Sequence, residues 1–415
     1  MITTIKLFYI LYTIYTIYIA LISDYRYEYV CMGLLNIWII YFFYVMGFNS
    51  IKEKRTIRGN CNRKYNYFLF SIDNWKRWQF AGNVLLCFVF SILGSWFYTG
   101  MTPIDLATHF REGTSIYYAY QQYFQQNELK TFSIQKVPAI LMFFYVIINF
   151  YMAALQIIRK NKLRPLLFVY VLLIMFSFEY IGIARGTNFE SYLIFVAFSY
   201  CLINYEGTRV NWKNLVITFG LGLLLVLLFE NIVLNRGIVF YNKICDGILH
   251  DADSFLSVVL PTITHLAIII FGYLGFGIYV IGYSLYEIVF DNWSLLLGSL
   301  LPSGLGLVTN TDFISIVRTA TQVGVKWVPD YMYFLDRFGF PLFWLLIYFL
   351  GKLTVIIRNS EMPELQIRFA TFFITLEMLS IPVGSFITTS SAHILCVLYI
   401  AFYLSKYYLL TLSNR

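Results

Sequence analysis

Arg185 and Gly186 stand between two apolar runs, 165–183 and 191–205, in the stub Ala184-Arg185-Gly186-Thr187-Asn188-Phe189-Glu190. A guanidinium stays charged at any working pH and can grip a phosphate through paired N–H donors. Thr187 and Glu190 have the spacing of a capping box that opens the second run as a helix. A helix N-terminus itself favours an anion, so the stub can act as a diphosphate clamp. The same residues also allow a plainer use, an arginine that snorkels to headgroups or anchors the hairpin.

Other chemistry-bearing residues lie further along. Arg236 follows the apolar run 214–233, and Lys243, Asp246, His250, Asp251 and Asp253 come soon after it. His250 with the two aspartates offers hard oxygen ligands for a divalent cation, or simply a solvated loop. The stretch from Arg318 through Lys326 to 328–341 alternates polar groups with aromatics, among them Asp330, Tyr331, Tyr333 and Arg337. Aromatic faces can stack on sugars and a carboxylate can take a hydroxyl proton, while an interfacial aromatic collar has the same composition. Glu179 and Glu377 fall inside apolar runs, where an ionisable group is either functional or held by a structural partner. His265 and His393 flank such runs, as packing histidines do.

These residues have to be positioned by membrane helices. Of 415 residues 59% are hydrophobic and 13% charged, far from the balance of a soluble domain. The apolar runs 3–22, 29–48, 80–99, 137–157, 165–183, 191–205, 214–233, 338–356, 367–384 and 391–409 approach or reach the length of a bilayer crossing. Helix is the way each satisfies its backbone in lipid. The first run reads as an uncleaved span, too long for a signal peptide core. With the N-terminus in the cytoplasm, inner loops hold 20 of the 30 Lys and Arg. That asymmetry places both termini inside, and it explains the net charge of +8 without nucleic acid. The six cysteines form no CxxC pair, so neither a disulfide framework nor a metal cluster is read from them.

Segment 264–308 is ambiguous. Gly272, Gly275, Gly277 and Gly282 interrupt its first part, and Pro302 with two glycines breaks its second. A single crossing would invert every later loop, so none (a re-entrant or interfacial excursion) or two are expected. The result is a single all-α polytopic domain with 10–12 transmembrane helices. It carries a loop over 100–136, which could form an amphipathic surface helix, and a large outward-facing region over about 235–337. No nucleotide-binding or metalloprotease motif is present.

Together, Arg185-Gly186 and the stretch 330–341 resemble the Wzy-type O-antigen and oligosaccharide repeat-unit polymerases, relatives of the O-antigen ligases. Those families carry an R-G pair at the outer end of a mid-chain hairpin. Their large periplasmic region ends in an H/D-x-x-x-L-x-x-x-G-x-x-G-like stretch. Here Asp330 stands where the ligases have histidine, and Pro341 replaces a final glycine. The resemblance implies a bacterial inner-membrane glycosyltransferase of the membrane-embedded type, working at the periplasmic face without metal or cofactor. It would join undecaprenyl-diphosphate-linked repeat units into O-antigen or a related surface polysaccharide, with a chain-length regulator and a flippase as possible partners. Arg185 and Arg236 would hold the diphosphate, Arg318 and Arg337 the second diphosphate or a sugar, and Tyr331 and Tyr333 would stack on sugars. Asp330 would be the base, with His250 second. The rival reading is a flippase for the same lipid-linked unit, and a membrane acyltransferase comes third. The charge concentrated in loops favours the polymerase.

Overall fold

The computed structural model describes residues 2–52, 75–126, 136–157, 165–187, 189–203, 220, 243–245, 247–271, 275–286, 290, 330–360, 362–384 and 390–413. Its helices are α1 (Ile2–Leu21), α2 (Tyr27–Asn49), α3 (Arg77–Thr99), α4 (Pro103–Glu112), α5 (Ile116–Gln126), α6 (Val137–Ile157), α7 (Pro165–Arg185) and α8 (Phe189–Ile203). After a hairpin of β1 (Lys243–Cys245) and β2 (Ile248–Leu249) come α9 (Phe255–Val259), α10 (Pro261–Ile270), α11 (Phe276–Tyr286), α12 (Asp330–Asn359), α13 (Glu364–Ser380) and α14 (Ser391–Ser413). Among the described residues six helices are long and apolar enough to cross a membrane: α1, α2, α3, α6, α7 and α12. The architecture is that of a mostly helical, multi-pass membrane protein. The expected runs 191–205, 367–384 and 391–409 recur as α8, α13 and α14. The run 214–233 lies outside the described residues.

Residue contacts divide the chain into two interleaved compact units. The first comprises Met1–Thr56, Val239–Glu361 and Phe373–Thr389; the second comprises Ile57–Ile238, Met362–Phe372 and Ser390–Arg415.

In the first unit α2 is the central post. Gly47 and Gly351 bring α2 and α12 together: the Tyr348 carbonyl stands where Gly47 would carry a Cβ, and the Tyr44 carbonyl does so at Gly351. Small residues are what permit such close approach between membrane helices. Contacts along the pair run in the same direction, from Tyr331 on Asn36 (2.9 Å) through Trp344 on Phe43 and Thr354 on Tyr44 (3.0 Å) to Asn359 on Lys52 (3.1 Å). α2 and α12 are therefore parallel.

Two of the glycines read as interruptions in 264–308, Gly277 and Gly282, are contact points. Gly282 faces the Tyr29 carbonyl of α2, Gly33 of α2 lies against Ile278, and Gly277 meets the carbonyls of Pro382 and Val383. On the other strand of this excursion, Tyr18 bonds Thr264 (2.8 Å) and Tyr15 donates to the Ala267 carbonyl (2.7 Å). α10 thus runs antiparallel to α1, and α11 antiparallel to α2. Since α1 and α2 are themselves joined by a short turn, α10 starts and α11 finishes at that same end. Of the two alternatives the re-entrant one holds for this part, while 295–308 lies outside the described residues. Irregular backbone at such depth needs protein around it. Here Tyr331 supplies some, donating its N–H to the Ile381 carbonyl (3.3 Å) just beyond the end of α13.

In the second unit α3, α6 and α7 pack side by side around a buried polar knot. Asn83 donates to Asn149 (2.9 Å) and to the Tyr170 hydroxyl (2.6 Å), and Tyr145 donates to Asn83. Within the 100–136 loop, where the sequence allows a surface helix, the described residues form two short helices, α4 and α5. α4 starts at a capping box of Thr102 and Asp105 with Pro103 at its first position, and ends at Gly113 with φ 66°. The Thr102 backbone N–H and hydroxyl hold the Asp105 carboxyl below the usual carboxylate range.

Candidate functional site at the mouth of the α7–α8 hairpin

Arg185 is the last residue of α7, and the chain reverses through Gly186 at φ 58°. A Cβ at Gly186 would lie 2.7 Å from the Tyr117 backbone nitrogen, so the glycine lets the start of α5 close over the hairpin. Below α5, Met101, Leu106, Ile116, Tyr120 and Ala184 form an apolar cluster with Tyr98, Tyr117 and Tyr180 against it. The tyrosine hydroxyls of Tyr98 and Tyr120 lie close enough to the Arg185 guanidinium to act on it electrostatically. Burial pushes the Tyr120 hydroxyl far above the usual phenol range, which keeps it a neutral donor.

The guanidinium pairs with Glu190, whose side chain is 4% exposed against 21% for Arg185. Glu190 reaches back as a capping-box glutamate would, but to Arg185 and, at 3.4 Å, to the Thr187 hydroxyl. Arg185 also sits 5.9 Å over the Phe189 ring. That ring meets His393 of α14, whose imidazole bonds the Tyr151 hydroxyl (3.0 Å) and Ser390 (2.8 Å). One donor is left over: the Nε–H of Arg185 is buried with no partner among the described residues. Nearby on α7, Glu179 accepts from Ser191 (2.5 Å), and among the described residues its other carboxylate oxygen and the buried Tyr180 hydroxyl are unpartnered. Among the described residues no His, Cys, Asp and Glu group has the makings of a metal site.

The remaining candidates are placed differently. Arg236 and Arg318 lie outside the described residues. Asp330 and Tyr333 lie on the first turn of α12, but their side chains fall outside the described part of the structure. Arg337 is exposed on the same helix, just before the non-helical Gly339 that bends it. Tyr331, expected to stack on sugar, is instead a packing residue. Its side chain is fully buried, its ring meets Phe343 edge-on at 5.3 Å, and its hydroxyl serves Asn36. His250 likewise serves local structure. It pairs across to Ser23, and its Nε2 bonds Ser257 at 3.0 Å beside the start of α9. Asp251 forms a tight turn onto the Asp253 N–H (3.1 Å), so the solvated-loop reading describes these residues better than a metal site does. Arg185 belongs to the second unit, whereas Asp330, Tyr331, Tyr333, Arg337 and His250 belong to the first.

Sequence reading missed the tyrosines that surround Arg185 and the pairing with Glu190. The run Ile116-Tyr117-Tyr118-Ala119-Tyr120 carries an aromatic signal, but nothing in its spacing says that it folds back on Arg185. No family model matches the chain, and no curated protein or solved structure is found to be similar to it.

Proposed function

We propose that the protein polymerises lipid-diphosphate-linked oligosaccharide repeat units, with Arg185 holding the diphosphate of one substrate at the outer mouth of the α7–α8 hairpin. The observation that carries this reading is the buried Nε–H of Arg185, left without a partner among the described residues although Glu190 already neutralises the side chain. A buried donor of this kind is costly to leave unmade, and a second anionic oxygen would satisfy it. A guanidinium among neutral tyrosine hydroxyls supports a diphosphate as it gathers charge on leaving the anomeric carbon. The acceptor sugar hydroxyl attacks that carbon, the bond to the diphosphate breaks, and a general base takes the hydroxyl proton. The bacterial inner membrane, the periplasmic face and the cytoplasmic termini are parts of the same proposal.

A second reading, transport of the same lipid-linked unit, is favoured by the first unit. There the end of α13, the start of α12 and the α10–α11 excursion meet beside Asn36, partway along α2. Broken helices inside the membrane are a transporter feature. Deleting the gene in its native host and reading the surface glycan on a gel separates the two. A single capped repeat unit with the ladder lost supports the polymerase. Loss of even that unit, with lipid-linked repeats trapped inside, supports the flippase. In the complemented strain Arg185→Ala should abolish the ladder at unchanged protein level, and Arg185→Lys should leave it severely reduced because ammonium cannot match the guanidinium fork. A normal ladder from Arg185→Ala would remove Arg185 from the mechanism.

A further inference from the structure

We infer that residues 255–263, which the sequence places in an aqueous loop, are an interfacial anchor whose apolar face lies among lipid acyl chains. The segment is fixed in depth at both ends. At its start the Asp251 N–H donates to the Ile22 carbonyl (2.9 Å), and Asp24 and Leu249 bond one another through the N–H of Asp24 (3.2 Å) and of Leu249 (2.6 Å). Just past its end Thr264 bonds Tyr18 of α1 (2.8 Å). The residues between are therefore held level with the last turn of α1, at the edge of a helix that spans the membrane.

The two faces of α9 differ sharply. Ser257 is buried on the inner side, bonded to His250 and Ser254. Phe255 is 77% and Val258 66% exposed on the other, with Val259 and Ile263 continuing that surface. Positions 255, 258 and 259 share one face of a helix. An exposed apolar patch of this kind would carry a large hydration cost in water. Ile14, Ile17 and Leu21 of α1 expose an apolar stripe that leads to the same level, and a lipid-facing stripe is what a spanning helix requires. Ile263, next to Thr264, joins the two surfaces. Asp251 and Asp253 are exposed just before α9 and suit the headgroup side. Polar groups above and apolar groups below, at the depth of a helix end, make the arrangement of an interfacial helix. A lipid monolayer is the occupant this continuity selects. The inference does not depend on what Arg185 binds.

A photoreactive benzoylphenylalanine placed at Phe255, and separately at Val258, tests it in the full-length protein. The protein is reconstituted in nanodiscs of phosphatidylethanolamine and phosphatidylglycerol, irradiated, and read by intact mass. Both positions should gain the mass of a whole phospholipid, as Ile17 does, and Asp253 should gain none. Loss of the lipid adduct at 255 and 258 while Ile17 keeps it would overturn the anchor. So would cross-linking of both positions to a second polypeptide in place of lipid. Both positions are exposed, so the photoreactive side chain leaves packing intact.

Discussion

Removing Glu190 would strand a mostly buried guanidinium with no counter-charge. Breaking a buried pair from one side costs about 3–5 kcal/mol, so Glu190→Ala should lower the unfolding midpoint of detergent-solubilised protein far more than a surface change does. If Arg185 needs Glu190 only until substrate arrives, an anionic diphosphate analogue should recover part of that loss in the same melting assay. An unchanged midpoint would mean that the pair does not hold the hairpin. Tyr331 makes the opposite kind of case. Tyr331→Phe keeps the buried ring and deletes the hydrogen bond to Asn36, which should cost about 0.5–1.5 kcal/mol in stability and leave the polysaccharide ladder unchanged. Loss of the ladder at full stability would return Tyr331 to the binding site.

At the scale of elements, the close crossing of α2 with α12 depends on residues that have no side chain. Gly351→Leu would drive atoms into the Tyr44 carbonyl, and backbone cannot yield as a flexible side chain does, so folded protein should be lost from a size-exclusion profile. Gly82 on α3 is the internal control, with nothing within 4 Å of a Cβ placed there. Gly82→Ala should stabilise by about 1 kcal/mol, the helix-propensity difference between the two residues. If Gly351→Leu folded as well as Gly82→Ala, the α2–α12 crossing would not be as tight as described. The same logic explains α11, whose glycines read as helix breakers in sequence and serve as close contacts in the fold, Gly282 toward α2 and Gly277 toward the carbonyls of Pro382 and Val383.

For the whole molecule, α2 and α12 run parallel, and the absolute orientation is a proposal that rests on charge bias. An alkaline phosphatase fused after Gly113 should be active outside the cytoplasm, and one fused after Arg415 should be silent. Activity from both fusions, or from the second alone, would invalidate the orientation and move Arg185 away from the face at which the proposed polymerisation takes place.

The sequence by itself marked the spans that recur as α1, α2, α3, α6, α7 and α12, because a run of apolar residues long enough for a bilayer is a local property that no neighbour can cancel. It allowed a surface helix within 100–136 without placing it, although Thr102, Pro103, Asp105 and Gly113, which bound α4, act within a few residues of one another. It singled out Arg185, since a charge between two spans stands out at any resolution. Tertiary structure alone decided what that charge meets: Glu190 beside it, Phe189 below, and tyrosines from a surface helix above. It likewise turned Tyr331 inward, tied His250 to a helix start, and sent residues 261–286 back out by the side they entered. Each of these depends on which helix faces which, and that is settled by the fit of small residues against distant backbone, a property no stretch of sequence carries alone.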